Sequence, residues 1–210
     1  MTDPVLERAC DQRMIPVVVV DDIATAAPLG QALSAAGALV VEVTLRTDAA
    51  EQALAVLAES GELLVGAGTV LRPQQVDAAQ RAGAQFIVSP GLDPRVVERC
   101  RDLGLAVVPG VATASEVMAA LALDLSLLKL FPAEAGGGIA LLRALGGPFP
   151  GVRFIPTGGL TAANAADYLR VPSVAAIGGS WMVAPALLAA GDYDAITRLT
   201  TEALELARTT

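Results

Sequence analysis

The sequence predicts an α/β fold, a single (β/α)8 TIM barrel formed by residues 1–210. Eight short aliphatic segments each precede a segment of helical character, and strands that alternate with helices in this way form parallel sheets. Eight such units close into a barrel, whereas an open doubly wound sheet more often uses about five or six strands. A barrel can run to this length undivided, and no Ser- or Pro-rich linker separates one part of the chain from another.

The first predicted strand, 15–20, is a run of β-branched residues around Pro16, which is typical of a strand that is buried on both faces. The strands after it end in polar or glycine-rich turns. In chain order these strands are 39–45, 63–70, 85–91, 106–111, 125–133, 153–159 and 174–180.

Polar residues and prolines mark the helix starts. Asp21 and Asp22 offer an N-cap to a helix that ends near Gly37. The C-terminal segment 186–208 is helical by pattern, with a break at 191–192. The remaining starts are capping-box spacings at Asp48 with Glu51 and at Thr113 with Glu116, and prolines suited to a first helical turn at Pro73 and Pro94.

Composition excludes several classes of function. The net charge of −8 argues against nucleic-acid binding, which needs a basic surface. Charged residues interrupt every apolar run before it reaches the ~18 residues of a membrane span, and the N-terminus lacks the features of a signal peptide. The two cysteines, Cys10 and Cys100, have no metal-binding or redox spacing. We therefore expect a cytoplasmic protein that binds neither nucleic acid nor membranes.

Lys129 is the only lysine in the chain, and it lies between two leucines in the sixth predicted strand. Burial disfavours the charged form of lysine and thereby provides an amine that can attack a carbonyl group. The sequence contains no histidine, which excludes Ser-His and Cys-His mechanisms and leaves acid–base chemistry to a carboxylate, the lysine or water. The alternative is a lysine whose stem is buried and whose amine reaches water at the strand end.

The second predicted strand provides a candidate carboxylate. Because side chains alternate along a strand, Glu42, Thr44 and Arg46 share one face. A carboxylate within an apolar strand is costly unless it is paired or functional, so Glu42 is the candidate general acid/base. The alternative is a purely structural ion pair between Glu42 and Lys129.

Glycines follow the last two predicted strands, at Gly158 with Gly159 and at Gly178 with Gly179 and Ser180. The loops after strands seven and eight are the usual phosphate site of a TIM barrel. Glycine-rich loops at helix N-termini expose backbone N–H groups to phosphate. We therefore predict that both glycine pairs lead into helices and bind phosphate. The segment 66–69, Gly-Ala-Gly-Thr, is open to either a close approach of ligand or an ordinary tight turn.

Six motifs occur in the order Glu-Val-Thr-Leu-Arg at 42–46, Gly-Ala-Gly-Thr at 66–69, Ser-Pro-Gly-Leu at 89–92, Lys-Leu-Phe-Pro-Ala-Glu at 129–134, Pro-Thr-Gly-Gly at 156–159 and Ile-Gly-Gly-Ser-Trp at 177–181. With these motifs the chain resembles the 2-keto-3-deoxy-6-phosphogluconate (KDPG) aldolases and their 4-hydroxy-2-oxoglutarate (KHG) and phosphogalactonate relatives. The segment 135–138 reads Ala-Gly-Gly-Gly, where the family has Ala-Asn-Gly-Gly.

The resemblance implies a role for each matching residue. The family's Schiff-base lysine corresponds to Lys129 and its general acid/base to Glu42. Thr157 is expected to sense the configuration at C4 of the substrate. The contacts to the pyruvyl half correspond to Arg46, Thr69 and Pro90, and those to the phosphate correspond to Gly158, Gly159, Gly178, Gly179 and Ser180.

The function that the resemblance implies is class I cleavage of KDPG to pyruvate and glyceraldehyde 3-phosphate, with 4-hydroxy-2-oxoglutarate as a further substrate. It also implies a homotrimer that uses no metal and no cofactor. The alternatives are a phosphogalactonate aldolase, another Schiff-base barrel such as a deoxyribose-phosphate aldolase or a transaldolase-like lyase, and a catalytically silent phosphate-binding barrel.

Overall fold

The computed structural model describes residues 3–210, in which parallel strands alternate with helices along the chain. The strands are β1 (Met14–Val18), β2 (Val40–Thr44), β3 (Leu64–Gly68), β4 (Phe86–Val88), β5 (Ala106–Val108), β6 (Gly110–Val111), β7 (Leu127–Leu130), β8 (Arg153–Pro156) and β9 (Ile177–Gly179). The α-helices are α1 (Pro4–Cys10), α2 (Ala26–Ala35), α3 (Ala50–Glu59), α4 (Pro73–Arg81), α5 (Pro94–Asp102), α6 (Ala114–Leu121), α7 (Gly138–Gly146), α8 (Ala165–Leu169), α9 (Pro185–Ala190) and α10 (Tyr193–Thr209). Single 3₁₀ turns cover Ile23–Thr25 and Trp181–Val183.

The strands form two parallel sheets, in the orders β5-β4-β3-β2-β1-β9 and β6-β7-β8. The sheets meet at two seams. At one seam, β5 and β6 are the two halves of a single predicted strand that is interrupted at Pro109, which has no N–H to donate to a ladder. At the other seam, isolated bridges join Phe154 to Val174 and Thr157 to Gly178. The chain therefore adopts the predicted TIM-barrel class, with a hydrogen-bonded ladder that is not continuous around the barrel.

Helix α1 was not predicted, because the segment before the first predicted strand is short and rich in charged residues. Asp3 caps it by accepting a hydrogen bond of 2.8 Å from the backbone N–H of Val5. Its residues Leu6, Ala9 and Cys10 are buried in the inner apolar cluster of the barrel. We infer that α1 covers the end of the barrel at which the strands begin.

Alternation along the strands separates two apolar layers. Val41 and Val43 of β2 belong to the outer layer, which packs against the helices, whereas Val40 points into the inner cluster with Phe86. The Phe86 ring occupies the place of a side chain at Gly66, since a Cβ there would lie 2.2 Å from the ring. The inner layer therefore fills the lower barrel with apolar atoms and leaves polar residues to the upper part.

Most of the predicted helix starts are confirmed. Asp22 caps the 3₁₀ turn before α2, Asp93 caps α5, and Thr113 forms the predicted capping box with Glu116. Pro73 and Pro94 occupy the first turns of α4 and α5, and Gly191 breaks the C-terminal helix in the left-handed conformation before Asp192 caps α10.

The predicted capping box at Asp48 and Glu51 is wrong. Helix α3 begins at Ala50, and its N-cap residue, Ala49, makes no side-chain hydrogen bond. The turn that leaves β2 takes up more residues than the spacing assumed, and in it the Thr47 hydroxyl donates to the Val20 carbonyl at 2.5 Å. Glu51 is consequently left in the first turn of α3 as an acidic residue near the helix N-terminus, where it is still favourable.

No helix within residues 3–210 combines the length and apolarity that a membrane span requires.

Candidate active site

Lys129 and Glu42 meet inside the barrel. Lys129 lies on β7 and Glu42 on β2, strands of two different sheets, and Lys129 Nζ donates to Glu42 Oε1 at 3.1 Å. Only 4% of Lys129 and 3% of Glu42 is exposed, so the alternative of a lysine that reaches water is wrong. A buried pair of this kind is held in place by its mutual hydrogen bond, because neither group has bulk water as an alternative partner.

The surroundings of the pair are apolar below and aromatic above. Beneath it is an enclosed cavity of ≈ 10 Å³, walled mainly by inner-layer residues such as Ile15 and Phe86 together with Lys129 and Glu42. This is roughly the space of one water molecule. On the other side, the Phe131 ring lies with its centroid 5.3 Å from Lys129 Nζ. The amine is therefore largely shielded from solvent.

Gly68 leaves the room that the Glu42 carboxylate occupies. A Cβ at position 68 would lie 2.2 Å from Glu42 Oε1 and 2.7 Å from its Cγ. The register of the strands explains this contact, because β2 pairs with β3 over their whole length and Gly68 ends β3 opposite Thr44. Gly68 of the Gly-Ala-Gly-Thr segment thus helps to position the Glu42 carboxylate.

A larger cavity of ≈ 540 Å³, which we call the mouth, opens at the carboxyl ends of the strands. Thr44 and Arg46 line this cavity. They lie two and four positions after Glu42, on the face that the sequence predicted for all three residues. Within residues 3–210, its wall is formed by Val17, Val19, Thr44, Arg46, Phe131, Pro132, Glu134, Ala135, Thr157, Gly158, Gly159, Leu160, Gly178, Ser180, Val183 and Pro185. Most of the predicted site residues are therefore brought together here.

Thr69 does not line the mouth but contacts a residue that does. Its hydroxyl accepts a hydrogen bond of 3.3 Å from Arg46 Nε. Thr69 has a φ of 59°, which is unusual for a β-branched side chain and is found mostly where the surrounding structure enforces it, often at functional sites. The strained residue therefore fixes the direction of the Arg46 guanidinium group.

Thr157 carries a buried hydroxyl without a hydrogen-bond partner among residues 3–210. Its side chain is 7% exposed, lines the mouth and packs against the Cα of Gly178, where a Cβ would lie 2.3 Å from Thr157 Oγ1. Buried polar atoms are nearly always paired, so this hydroxyl is suited to a polar group of a ligand in the mouth.

The glycine loops differ from the prediction in one respect. Gly158 and Gly159 have φ values of 99° and 82°, which only glycine adopts readily, and both line the mouth. They do not lead directly into a helix, because α8 begins only at Ala165 and has 5 residues. The predicted N-terminal helix dipole is therefore largely missing there, and any anion must be held mainly by backbone N–H groups.

The second glycine loop leads into a 3₁₀ turn, Trp181–Val183, rather than an α-helix. Gly178 and Ser180 line the mouth, whereas Gly179 does not, since its Cα faces the Trp181 ring. Within residues 3–210, the backbone N–H groups of Gly159 and Ser180 donate to no other protein group. These two N–H groups are thus free to bind a ligand.

Pro90, like Thr69 and Gly179, is a predicted site residue that lies in neither cavity wall. It follows β4, and its carbonyl oxygen lies where a Cβ at Gly110 would approach to 2.2 Å. The adjacent Ser89 hydroxyl donates to the Gly91 carbonyl at 2.7 Å, which stiffens the turn. A contact from Pro90 to a ligand stays a prediction.

Three residues of the site were not predicted. Phe131 lies two positions after Lys129, so strand alternation alone would have placed it on the same face. Glu134 lines the mouth and accepts a hydrogen bond from the Tyr168 hydroxyl. Burial, and then this hydrogen bond to Glu134, raise the pKa of Tyr168 well above its usual range. The contact joins residues 34 positions apart, and no local spacing indicates it.

The arrangement combines a buried amine, a carboxylate within hydrogen-bonding distance of it and a mouth with one arginine and free N–H groups. An amine so placed can add to a ketone while the carboxylate transfers protons. Within residues 3–210, no group of three or more His, Cys, Asp or Glu side chains is placed to hold a metal ion.

Comparison with known proteins agrees with this chemistry. The sequence model of the KDPG and KHG aldolases matches residues 5–199. A KHG/KDPG aldolase of Escherichia coli strain K12 is 48% identical over 196 residues, which cover 93% of this chain and 92% of that protein.

Two solved structures are also similar to the chain. One is a KDPG aldolase from Legionella pneumophila with pyruvate captured at low pH as a covalent carbinolamine intermediate; it has a TM-score of 0.91 at 40% identity, and the match covers 95% of this chain and 97% of that one. The other is the KDPG aldolase of Zymomonas mobilis ZM4 with 3-phosphoglycerate, with a TM-score of 0.86 at 43% identity over 94% of this chain and 95% of that one.

Proposed function

The chain belongs to the family of KDPG and KHG aldolases, and from this premise we propose that it is a class I aldolase that reversibly cleaves 2-keto-3-deoxy-6-phosphogluconate into pyruvate and glyceraldehyde 3-phosphate. The observation that carries the proposal is the hydrogen bond of 3.1 Å between Lys129 Nζ and Glu42 Oε1 inside the barrel. Phosphate binding by a catalytically silent barrel would not require this buried amine.

The similar structures support a Schiff-base route. A carbinolamine is the adduct of an amine with a ketone, and the Legionella aldolase was captured with pyruvate in that form. Lys129 is the only lysine of this chain and therefore its only side-chain amine that can form such an adduct. We assign it as the residue that bonds to C2 of the substrate.

The first step begins with a proton transfer from the Lys129 ammonium to the Glu42 carboxylate, which are already hydrogen-bonded. The neutral amine attacks the C2 ketone, forming the N–C bond, and the former carbonyl oxygen takes up the proton from Glu42. Glu42 then removes one of the two protons on nitrogen and passes it to the leaving hydroxyl, and loss of water gives the iminium, whose nitrogen keeps the other proton. The same carboxylate thus acts as base and as acid, which is worth about 10²–10⁴-fold in rate.

The iminium then accepts the electrons of the C3–C4 bond. A base removes the proton of the C4 hydroxyl, the bond breaks, and glyceraldehyde 3-phosphate leaves while an enamine of pyruvate remains on Lys129. Protonation of the enamine at C3 by Glu42 or a bound water regenerates the iminium, which water hydrolyses to pyruvate and free Lys129. The buried, mostly apolar surroundings of the pair protect the iminium from premature hydrolysis.

Arg46 and the glycine loops account for binding of the two anionic ends. The planar guanidinium group of Arg46, oriented by Thr69, suits the substrate carboxylate. Thr69 and Pro90 complete the contacts to the pyruvyl half in this proposal. The phosphate is held by the loops of Gly158 and Gly159 and of Gly178, Gly179 and Ser180. All of these residues except Gly179 line the mouth, as Arg46 does.

A second substrate is favoured by the name of the Escherichia coli relative, KHG/KDPG aldolase. Cleavage of 4-hydroxy-2-oxoglutarate requires the same lysine chemistry but no phosphate, so we expect it to be slower. The galactonate epimer of KDPG differs at C4, and we expect the unpaired hydroxyl of Thr157 to discriminate against it.

The experiment is a comparison of kcat/KM for the three substrates, with pyruvate release as the readout. The proposal predicts the highest value for KDPG, a lower value for 4-hydroxy-2-oxoglutarate and the lowest for the galactonate epimer. Equal values for KDPG and 4-hydroxy-2-oxoglutarate would contradict the phosphate site, and no pyruvate from any of them would contradict the aldolase function.

We also propose that the chain forms a homotrimer, as the family resemblance implies. Leu71 and Met118 are large apolar side chains that are 56% and 62% exposed, and contact with another copy would remove them from water. The molar mass from light scattering tests this proposal, and a monomer at micromolar concentration would contradict it.

We propose a cytoplasmic location because both thiols are reduced. Cys10 and Cys100 are both free and buried, which agrees with a reducing compartment. Cell fractionation of the native host tests it, and recovery in a membrane or secreted fraction would contradict it.

A further inference from the structure

We propose that Glu134 and Tyr168 form a latch that holds the Gly158–Gly159 loop in the geometry that binds phosphate. The proposal rests on the function proposed above and deepens it, because it names positioning residues that set the preference for a phosphorylated substrate. Neither residue belongs to the set assigned to substrate contact.

The latch joins two different parts of the barrel rim. Tyr168 lies on α8 and is fully buried, and its hydroxyl donates to Glu134 Oε1. Glu134 lies four residues after the end of β7, the strand that carries Lys129. The buried hydroxyl has no water as an alternative partner, so this hydrogen bond holds the carboxylate in place.

Glu134 in turn rests on the glycine loop. Its backbone N–H donates to the Gly158 carbonyl at 3.1 Å, and the preceding N–H, of Ala133, donates to the Thr157 carbonyl at 2.9 Å. The side chain covers Gly159, since a Cβ there would lie 2.6 Å from Glu134 Cβ. The Asn164 amide donates to the Gly159 carbonyl at 3.3 Å from the other side.

The charge of Glu134 shows that it is not a ligand of the phosphate. Glu134 and Arg46 are the charged side chains in the wall of the mouth among residues 3–210, and a carboxylate repels a phosphate dianion. Its contacts to Tyr168 and to the loop explain its presence at this place. A neutral side chain of the same shape should therefore hold the loop equally well.

The test compares Tyr168→Phe, Glu134→Ala and Glu134→Gln with the wild-type chain. Tyr193→Phe is the matched control, because it removes the other tyrosine hydroxyl of the sequence from α10, outside the wall of the mouth. Two readouts are combined: KM and kcat for KDPG and for 4-hydroxy-2-oxoglutarate, and the affinity for inorganic phosphate from a ³¹P NMR titration. Thermal unfolding shows which variants are folded.

For Tyr168→Phe and Glu134→Ala we expect KM for KDPG to rise by about ten-fold or more, which corresponds to about 1.4 kcal/mol. The affinity for phosphate should fall by a similar factor, while kcat/KM for 4-hydroxy-2-oxoglutarate changes by no more than about two-fold. Glu134→Gln should retain the wild-type KM, because its amide oxygen can still accept the Tyr168 hydrogen bond. Tyr193→Phe should behave as wild type.

An unchanged phosphate affinity in Tyr168→Phe overturns the latch, whatever happens to catalysis. An equal loss for both substrates overturns it as well, since that pattern indicates general damage to the barrel. If the wild-type chain binds phosphate but releases no pyruvate from any substrate, the proposed function fails, and the phosphate titration of the variants still decides the latch.

Discussion

A methyl group added at position 68 should disable the enzyme without changing any ionisable residue. In Gly68→Ala the new Cβ would lie 2.2 Å from Glu42 Oε1, 2.7 Å from its Cγ and 2.8 Å from its Cδ. Ordinary contacts begin near 3.4 Å, so the carboxylate must move by about 1 Å or more. This displacement breaks the hydrogen bond of 3.1 Å to Lys129 Nζ.

The expected magnitude follows from that displacement. A misplacement of about 1 Å in a catalytic group can lower turnover by about 10²-fold. Overpacking of this kind destabilises a protein by about 1–3 kcal/mol, against a typical total stability of about 5–15 kcal/mol, so the barrel should remain folded. Gly68 has no positive φ, and alanine therefore adds no backbone strain.

The assay is kcat for KDPG cleavage beside the midpoint of thermal unfolding. Gly151→Ala is the matched control, because a Cβ there meets no atom within 4 Å and should leave both quantities unchanged. Wild-type turnover in folded Gly68→Ala would show that the position of Glu42 beside Lys129 does not limit the reaction.

Three further results are expected. Glu42→Gln keeps the shape of the side chain but not its basicity, so turnover should fall by about 10²–10⁴-fold in a folded protein; near-normal activity would reduce Glu42 to a structural counter-ion. Gly178→Ala would bring a Cβ to 2.3 Å from Thr157 Oγ1, and it should lower kcat/KM for KDPG by about 10²-fold while borohydride trapping of pyruvate, which has no C4, is retained; equal losses in both would contradict the role of Thr157. Burial raises the pKa of Cys10 from 9.0 to about 11 and that of Cys100 to about 12, so the folded state holds both thiol protons more tightly than the unfolded state. The stabilisation is complete below pH 9.0 and is lost as the pH rises from there through 11 and 12, so the free energy of unfolding in urea should decrease over that range; a constant value would contradict the burial of the thiols.

The strands and the catalytic pair could be predicted because their signals are local or unique. The strands are short, mostly aliphatic segments, and Lys129 is conspicuous as the only lysine in the chain. Alternation along one strand was enough to place Glu42, Thr44 and Arg46 on a common face, and Thr44 and Arg46 do line the mouth. Fold and central chemistry therefore follow from short stretches of sequence.

The remaining features depend on contacts between distant segments. The capping box at Asp48 failed because α3 begins only at Ala50, after a turn in which the Thr47 hydroxyl bonds to the Val20 carbonyl, a partner 27 residues away. Helix α1 is stabilised by the apolar barrel end that it covers, and its own sequence is too short to indicate it. The contact between Glu134 and Tyr168 likewise joins residues 34 positions apart and exists only once α8 has packed on the barrel.

Borohydride reduction in the presence of pyruvate tests whether Lys129 forms an imine with the C2 ketone. Reduction converts an iminium into a stable amine, and mass spectrometry of the digested chain then locates the modified residue. The account predicts one pyruvate-derived adduct on Lys129 in the wild-type chain and none in Lys129→Ala, which should also lose aldol cleavage. Absence of the adduct, or an adduct on the N-terminal amine that persists in Lys129→Ala, would contradict it.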